Sequence, residues 1–147
     1  MSKFFRSARS TKSSTFPFRR CTWNKYLKKL PETSVIIIYY NEWPSVLFRT
    51  VHSVYNRTPR DLLKEIILVN DNSSKPELKE IDDYVKKNFD GRVRVVNLPE
   101  RRGLIIARIE GAKQATGDVL VFLDSHMEVV VNWLPPLLGD ALSLHFS

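Results

Sequence analysis

Residues 34 to 40 read SVIIIYY, and residues 43 to 55 read WPSVLFRTVHSVY. The first stretch is a continuous apolar run rich in β-branched residues, which is typical of a strand buried on both faces. The second stretch places Leu47, Val51 and Val54 three and four positions apart, as on one face of a helix. The chain therefore begins its folded part with a strand followed by a helix.

The same alternation continues along the chain. EIILV at residues 65 to 69 and DVLVFL at residues 118 to 123 predict two further buried strands, and residues 93 to 96 predict another. Helices are predicted at residues 77 to 87, 104 to 115 and 133 to 144. Alternating strands and helices favour an α/β fold, with a mostly parallel sheet and helices on both of its faces.

Ligands of such open sheets bind outside the carboxyl ends of the strands, so the segments 39 to 42, 70 to 74 and 124 to 128 are candidate binding regions. Asp71 directly follows the second strand, where its carboxylate is a candidate partner for a ribose or a uracil ring. The alternative is an Asx-turn in which Asp71 or Asn72 caps its own backbone.

Asp124 and His126 flank Ser125 at the end of the fourth strand. In extended backbone, two residues that are one apart point to the same side, so a carboxylate oxygen and an imidazole nitrogen can share one divalent metal. This donor pair suits Mn²⁺, which can neutralise a diphosphate. The alternative is a turn aspartate beside a surface histidine.

Arg108 lies in the helix that follows Gly103, from where it can reach a phosphate or pair with Asp71 or Asp124. Arg101 and Arg102 precede the same helix and form either an anion-binding loop or an ordinary charged turn. His52 lies within the stripe of the first helix, and we interpret it as structural.

Charge and composition exclude several classes of protein. The five glycines form neither a G-x-G-x-x-G nor a P-loop, which argues against dinucleotide dehydrogenases and P-loop kinases. Residues 1 to 30 hold nine of the 23 Lys and Arg and no acidic residue, so the +7 charge predicts a basic, disordered tail at 1–30 and a near-neutral domain at 31–147. We therefore expect no nucleic-acid partner.

Membrane and export signals are not visible in the sequence. The longest apolar runs fall far short of the roughly 20 residues of a membrane-spanning helix, and the N-terminus lacks the apolar centre of a secretory signal. Cys21 is the only cysteine, so the chain alone forms no disulfide. The absence of a visible signal or anchor predicts a cytoplasmic location.

Several long motifs resemble one family in order and spacing over about residues 21 to 140. They read LPETSVIIIYYNE, LFRTVHSV, LLKEIILVNDNS, GLIIARIEGAKQATGDVLVFLDSH and NWLPPLL. They resemble the first half of the catalytic domain of the polypeptide N-acetylgalactosaminyltransferases, a family with the GT-A fold. The resemblance implies a Golgi family that uses Mn²⁺ and moves N-acetylgalactosamine from UDP-GalNAc to Ser or Thr of proteins.

The resemblance also implies roles for four residues. Asp71 matches the aspartate that contacts the uridine, Arg108 matches the arginine beside the nucleotide, and Asp124 and His126 match the metal-binding D-x-H. The chain departs from the usual family motifs at Tyr39, Tyr40, Asn70, Arg102 and Met127. Tyr40 and Ile38 correspond to the histidine and the threonine that lie near the nucleotide in common members. The third metal ligand, the acceptor region and the lectin domain of the family have no counterpart in 147 residues.

We therefore expect a truncated, inactive-like member that carries the half of the domain that binds UDP-sugar and Mn²⁺, with UDP or UDP-GalNAc as ligand. Its partners would be protein Ser/Thr acceptors or other glycosyltransferases. The alternative is a non-catalytic interaction protein that modulates other glycosyltransferases. A third possibility is that the chain does not fold stably, because it carries part of a sheet whose last edge expects further chain.

Overall fold

The computed structural model describes residues 30 to 143, and side chains as far as residue 139. Its elements follow in the order β1 (Thr33–Tyr39), α1 (Pro44–Arg57), β2 (Leu63–Asn70), α2 (Ile81–Asn88), β3 (Val93–Asn97), α3 (Leu104–Gln114), β4 (Val119–Asp124) and α4 (Leu134–Ser143). The predicted strands and helices are confirmed within about two residues at most ends. The exception is the predicted helix at 77 to 87, which is split into a 3-10 helix at Pro76–Glu80 and α2.

The four strands form one parallel sheet in the order β3-β2-β1-β4. β1 is central, and its Ile38 lies opposite Val69 of β2 and Asp124 of β4. The carboxyl ends of β1, β2 and β4 therefore meet at one edge of the sheet, as parallel crossover connections require. The predicted α/β class with a mostly parallel sheet is confirmed.

Helices cover both faces of the sheet. Val35, Ile37 and Tyr39 pack in a core with α1 and α2, whereas Ile36 and Ile38 point to the other side, where Ala107 of α3 lies. This division follows from the strand period of two, which sends successive side chains to opposite faces. Both faces of β1 are consequently buried, as its sequence predicts.

The close approach of α3 to the sheet depends on a glycine. A Cβ placed on Gly111 would lie 2.7 Å from Cγ2 of Ile36 and 2.9 Å from Cγ2 of Val69. Both neighbours are β-branched side chains with little rotamer freedom, so they cannot easily give way. Gly111 thus sets how near the helix lies to β1 and β2.

The prediction that β4 is a buried strand is wrong. Partly buried and exposed positions alternate along it, and Leu120 and Phe122 retain 38% and 39% of their surface. Within residues 30 to 143, β4 pairs only with β1 and forms an edge of the sheet. A continuous apolar run alone does not distinguish a central strand from an edge strand with one covered face.

The amino end of the sheet packs on α4. Leu134 and Leu138 of this helix form a small core with Leu62, and Leu30 packs against it. Pro135 and Pro136 lie in its first turn, where a missing N–H costs nothing. The predicted tail at residues 1 to 29, with Cys21, lies outside the described residues.

Among residues 30 to 143, no helix combines the length and the apolar character that crossing a bilayer requires.

Candidate functional site

The three segments predicted from the strand ends lie together in the structure. β1 is flanked by β2 and β4, so its following segment, residues 40 to 42, is next to both of the others. Two adjacent residues of this segment make hydrogen bonds, one to the segment after β2 and the other to the segment after β4. Asn41 binds the segment after β2, and Glu42 binds the segment after β4.

Asn41 fixes the loop that follows β2. Its side-chain oxygen accepts hydrogen bonds from the backbone nitrogens of Ser74 and Lys75, at 2.8 Å and 3.2 Å. Its own backbone nitrogen donates to the hydroxyl of Ser73 at 3.0 Å. The backbone of Asn41 is left-handed, with φ of 49°, a conformation that asparagine tolerates better than most residues. The loop from Asp71 to Lys75 is therefore tied to the central strand.

Asp71 is buried, with 3% of its surface exposed, and its carboxylate binds backbone rather than another side chain. Oδ1 accepts a hydrogen bond from the N–H of Arg102 at 2.8 Å, and Oδ2 accepts one from the N–H of Gly103 at 2.9 Å. These donors belong to the start of α3, so a negative group lies where a helix favours one. The Asx-turn alternative for Asp71 is wrong, since its partners lie 31 and 32 residues away.

The backbone N–H groups of the loop before α3 bind a side chain of this chain. The anion at the N-terminus of α3 is the carboxylate of Asp71 itself, and Gly103 has φ of 83°, which a residue with a Cβ rarely adopts. Arg101 lies with its guanidinium 4.0 Å from the ring centre of Tyr40, and Arg102 pairs with Glu100 at 3.7 Å. Both arginine side chains thus have partners within the chain.

Arg108 lies on the exposed side of α3. Its guanidinium is 5.9 Å from the ring centre of Phe122. The ion pairs among residues 30 to 139 do not include one between Arg108 and Asp71 or Asp124, so the structure does not support the interpretation of Arg108 as their counter-ion. Contact with a phosphate remains a prediction.

Asp124 and His126 are both exposed at the carboxyl end of β4, with Ser125 buried between them. Asp124 is the last residue of the strand, and 63% of the His126 side chain is accessible to solvent. Among the side chains of residues 30 to 139, no three His, Cys, Asp or Glu group closely enough to hold a metal. The described part of the chain thus offers at most a carboxylate and an imidazole as protein ligands.

Glu42 joins this pair from the central strand. Its Oε1 accepts a hydrogen bond from the backbone nitrogen of Trp43 at 2.9 Å, and its Oε2 accepts one from the hydroxyl of Ser125 at 3.0 Å. Oε2 also lies 3.5 Å from Nδ1 of His126. The Trp43 N–H, followed by Ser125 and His126, holds the pKa of Glu42 below its ordinary value, so its carboxylate is charged at neutral pH.

Thr50 of α1 contacts the turn that contains His126. Its buried hydroxyl lies 2.8 Å from the carbonyl oxygen of Ser125 and 2.7 Å from that of Met127. The one hydroxyl proton is shared between these two carbonyls or donated to one at a time, so a single donor of α1 serves both sides of His126. We did not identify Glu42 or Thr50 as site residues from the sequence, although Glu42 falls in one of the three predicted segments.

His52 is structural, as predicted. Its Nε2 lies 3.0 Å from the hydroxyl of Tyr84, and its ring lies 4.9 Å from that of Phe89.

The pair Phe48 and Tyr84 lines a groove of about 630 Å³ between α1 and α2, which contains none of the strand-end residues. A smaller hollow of about 210 Å³ lies at the ends of β2 and β3, lined by Asn70 and Asn97.

The parallel sheet has helices on both faces and carries carboxylate, amide and imidazole groups at the carboxyl ends of its strands, and its fold is GT-A-like. The family model for Glycosyl transferase family 2 matches residues 34–145. The chain therefore belongs to glycosyl transferase family 2.

Relatives with described activities agree with the resemblance read from the motifs. N-acetylgalactosaminyltransferase 6 of Drosophila melanogaster is 57% identical over 119 residues, which are 80% of this chain and 18% of that protein. Polypeptide N-acetylgalactosaminyltransferase 10 of Homo sapiens is 51% identical over 119 residues, which are 80% of this chain and 19% of that protein. The chain thus spans about a fifth of the length of these relatives.

Solved structures confirm the fold class. The crystal structure of GalNAc-T7 with UDP, GalNAc and Mn²⁺ matches with a TM-score of 0.72 and 49% identity, over 76% of this chain and 20% of that one. The mannosyltransferase PcManGT from Pyrobaculum calidifontis, in complex with GDP-Man and Mn²⁺, matches with a TM-score of 0.60 and 26% identity, over 69% of this chain and 29% of that one.

Proposed function

We propose that the chain binds a UDP-sugar, UDP-GalNAc or its product UDP, together with Mn²⁺, as the donor-binding part of a polypeptide N-acetylgalactosaminyltransferase-like protein. The observation that carries this proposal is the meeting of the β1, β2 and β4 ends, which gathers Glu42, Asp71, Asp124 and His126 at one edge of the sheet. The similar GalNAc-T7 was solved with UDP, GalNAc and Mn²⁺.

The side chains present fit Mn²⁺. Asp124 offers a hard anionic oxygen, and His126 offers an imidazole nitrogen, a donor combination that manganese accepts. Both side chains are exposed to solvent, so a diphosphate can complete the coordination. A bound Mn²⁺ would supply positive charge that offsets the charge building up on a leaving diphosphate.

The remaining residues have supporting roles in this proposal. Asp71 holds the start of α3 against the end of β2, and each of its oxygens keeps a lone pair for a uridine group. Arg108, on the exposed side of α3, is the candidate partner of a phosphate. The hollow beside Asn70 and Asn97 offers amide groups near the same edge.

We further propose that this chain transfers sugar slowly or not at all. The family positions that carry a histidine and a threonine near the nucleotide are occupied here by Tyr40 and Ile38. Ile38 lies in the core on the α3 side of the sheet, and Tyr40 packs under the guanidinium of Arg101. Ile38 has no polar side-chain atom to replace the hydrogen bond that the family threonine offers, which supports weak binding and little turnover.

Calorimetry tests the binding proposal. UDP titrated into the full chain should release heat with Mn²⁺ present and much less without it, and Asp124→Ala should weaken the Mn²⁺-dependent affinity at least about tenfold because one metal ligand is lost. Asp83→Ala, an exposed acid on α2, is the matched control and should leave the affinity unchanged. No detectable Mn²⁺-dependent binding by the unaltered chain would contradict the proposal. Transfer of labelled N-acetylgalactosamine to a Ser/Thr peptide at the rate of an active family member would contradict the proposal of low turnover.

A second candidate function is a non-catalytic interaction protein that engages another glycosyltransferase. It is favoured by the exposed apolar side chains on the α3 side of the sheet, where Ile105 keeps 73% of its surface and Ile109, Leu120 and Phe122 are also exposed. Ile105→Asp should abolish co-purification with a purified family transferase, whereas Val130→Asp, at a similarly exposed aliphatic position, should not. Equal recovery with both variants would contradict this function.

A further inference from the structure

The contact between Glu42 and His126 joins two different strand ends. Glu42 follows the central strand β1, and His126 lies in the turn after β4, 84 positions later. The carboxylate is not free to rotate, because one oxygen is held by the N–H of Trp43 and the other by the hydroxyl of Ser125. The oxygen that binds Ser125 is also the one that lies 3.5 Å from Nδ1 of His126.

This arrangement selects one form of the imidazole. An ionised carboxylate has acceptor oxygens only, so a lone pair on Nδ1 would face negative charge, whereas a proton on Nδ1 is attracted to it. At 3.5 Å this attraction is mainly electrostatic rather than a short hydrogen bond. This contact therefore favours a proton on Nδ1, which leaves the lone pair of Nε2 directed away from Glu42.

We propose that Glu42 is a positioning residue for His126: it fixes the imidazole in the Nδ1–H form, so that Nε2 is the nitrogen that binds the metal. The inference rests on the proposed function, in which His126 is a metal ligand. Carboxylates that hold the second nitrogen of a metal-binding histidine fix its orientation and raise its basicity. Here the carboxylate follows β1 and the histidine follows β4, so the pairing of these two strands positions the two groups relative to each other.

Thr50 completes the support of the same turn. Its hydroxyl lies within 2.8 Å of the carbonyl oxygens of Ser125 and Met127, which flank His126 in sequence. The turn around the histidine is thus linked to α1 through Thr50, and the carboxylate of Glu42 faces Nδ1 of its ring. In this proposal, Glu42 determines which nitrogen of His126 keeps a lone pair, whereas Thr50 positions the backbone of the turn.

The first test needs no metal. Nitrogen-15 NMR of the full chain at alkaline pH, where the neutral imidazole is observed, should show the Nδ1–H form of His126. Glu42→Leu, which removes the carboxylate, should shift the population to the Nε2–H form that an unconstrained neutral imidazole favours. Glu42→Gln, which keeps an acceptor but removes the charge, should give an intermediate population. An unchanged tautomer in Glu42→Leu, with the amide spectrum of the fold retained, would overturn the inference.

The second test measures Mn²⁺ directly by electron paramagnetic resonance, in which free Mn²⁺ gives the signal and bound Mn²⁺ removes it. Glu42→Gln should weaken binding about 10- to 100-fold, the range for loss of such a supporting group. Glu77→Gln, an exposed acid in the 3-10 helix, should bind as the unaltered chain does. Equal affinity of Glu42→Gln and the unaltered chain would count against the inference. Absence of Mn²⁺ binding by the unaltered chain would instead contradict the proposed function, and the tautomer measurement would still decide the role of Glu42.

Discussion

Oδ2 of Asp71 lies 2.9 Å from the backbone nitrogen of Gly103, a residue 32 positions further along the chain. Together with the bond from Arg102 to Oδ1, this contact fastens the start of α3 to the end of β2. Asp71 is therefore a structural residue of the site, whatever ligand it also contacts.

We expect Asp71→Ala to lower the free energy of unfolding by about 1.5 to 3 kcal/mol, because two hydrogen bonds to a charged acceptor are lost and two N–H groups are left without it. Urea unfolding followed by circular dichroism measures the change. Asp83→Ala, on the exposed side of α2, should change stability by no more than about 0.5 kcal/mol. Equal stability of the two variants would show that the Asp71 contacts add nothing.

Gly111→Ala should destabilise the protein. The added methyl would lie 2.7 Å from Cγ2 of Ile36, so α3 has to move away from the sheet. Overpacking of this kind costs about 1 to 3 kcal/mol, and the better helix propensity of alanine offsets up to about 1 kcal/mol of it. In a double-mutant cycle with Ile36→Ala, the combined loss should be smaller than the sum of the single losses. An additive result would refute the steric explanation.

Thr50→Val should lower stability by about 1 to 3 kcal/mol, since the carbonyl groups of Ser125 and Met127 lose a buried donor while the shape is kept. Thr50→Ser retains the hydroxyl and should lose much less. The comparison is made by thermal unfolding of both variants. If serine is as destabilising as valine, the methyl group of Thr50 rather than its hydroxyl is the important feature.

Glu65 should make stability depend on pH below about 5. Burial raises the pKa of its carboxyl, but hydrogen bonds from Thr116, Arg94 and Ser34 outweigh burial and hold the pKa below its ordinary value. Their donors lie 2.7 Å to 3.0 Å from the two oxygens. The carboxylate thus connects β1, β2, β3 and the loop that leads into β4.

The sign follows from linkage. A carboxyl whose pKa is lower in the folded than in the unfolded state stabilises fully above its unfolded value of about 4.3, and the stabilisation is lost as the pH falls through the folded value. Urea unfolding between pH 6 and pH 3 should therefore show a smaller decrease in stability for Glu65→Gln than for the unaltered chain. Parallel curves would rule out Glu65 as a source of acid sensitivity.

The sequence alone was sufficient for the parallel sheet and for the place where the three strand-end segments meet. Runs of β-branched residues identify β1 and β2, and the rule for carboxyl ends then brings Asp71, Asp124 and His126 to one edge without any knowledge of side-chain contacts. The resemblance in long motifs added the family, which the comparisons confirm.

The partners of individual side chains could not be predicted in this way. Nothing local to Asp71 indicates that its carboxylate accepts hydrogen bonds from Arg102 and Gly103, because those donors depend on where α3 starts relative to β2. The exposure of Leu120 has the same origin, since hydrophobic character is local whereas an edge position is a property of the whole sheet. Glu42 was missed because a carboxylate beside a proline-initiated helix resembles a common helix-start residue.

The central position of β1 couples the loop after β2 to the turn after β4. Asn41 and Glu42 are adjacent in sequence but bind segments on opposite sides of β1. Asn41 binds the loop after β2, and Glu42 binds the turn after β4. Any ligand that stiffens one of these loops also restricts this dipeptide, and with it the other loop. The entropy lost in ordering the first half is then not lost again for the second, which is cooperativity without a change of shape.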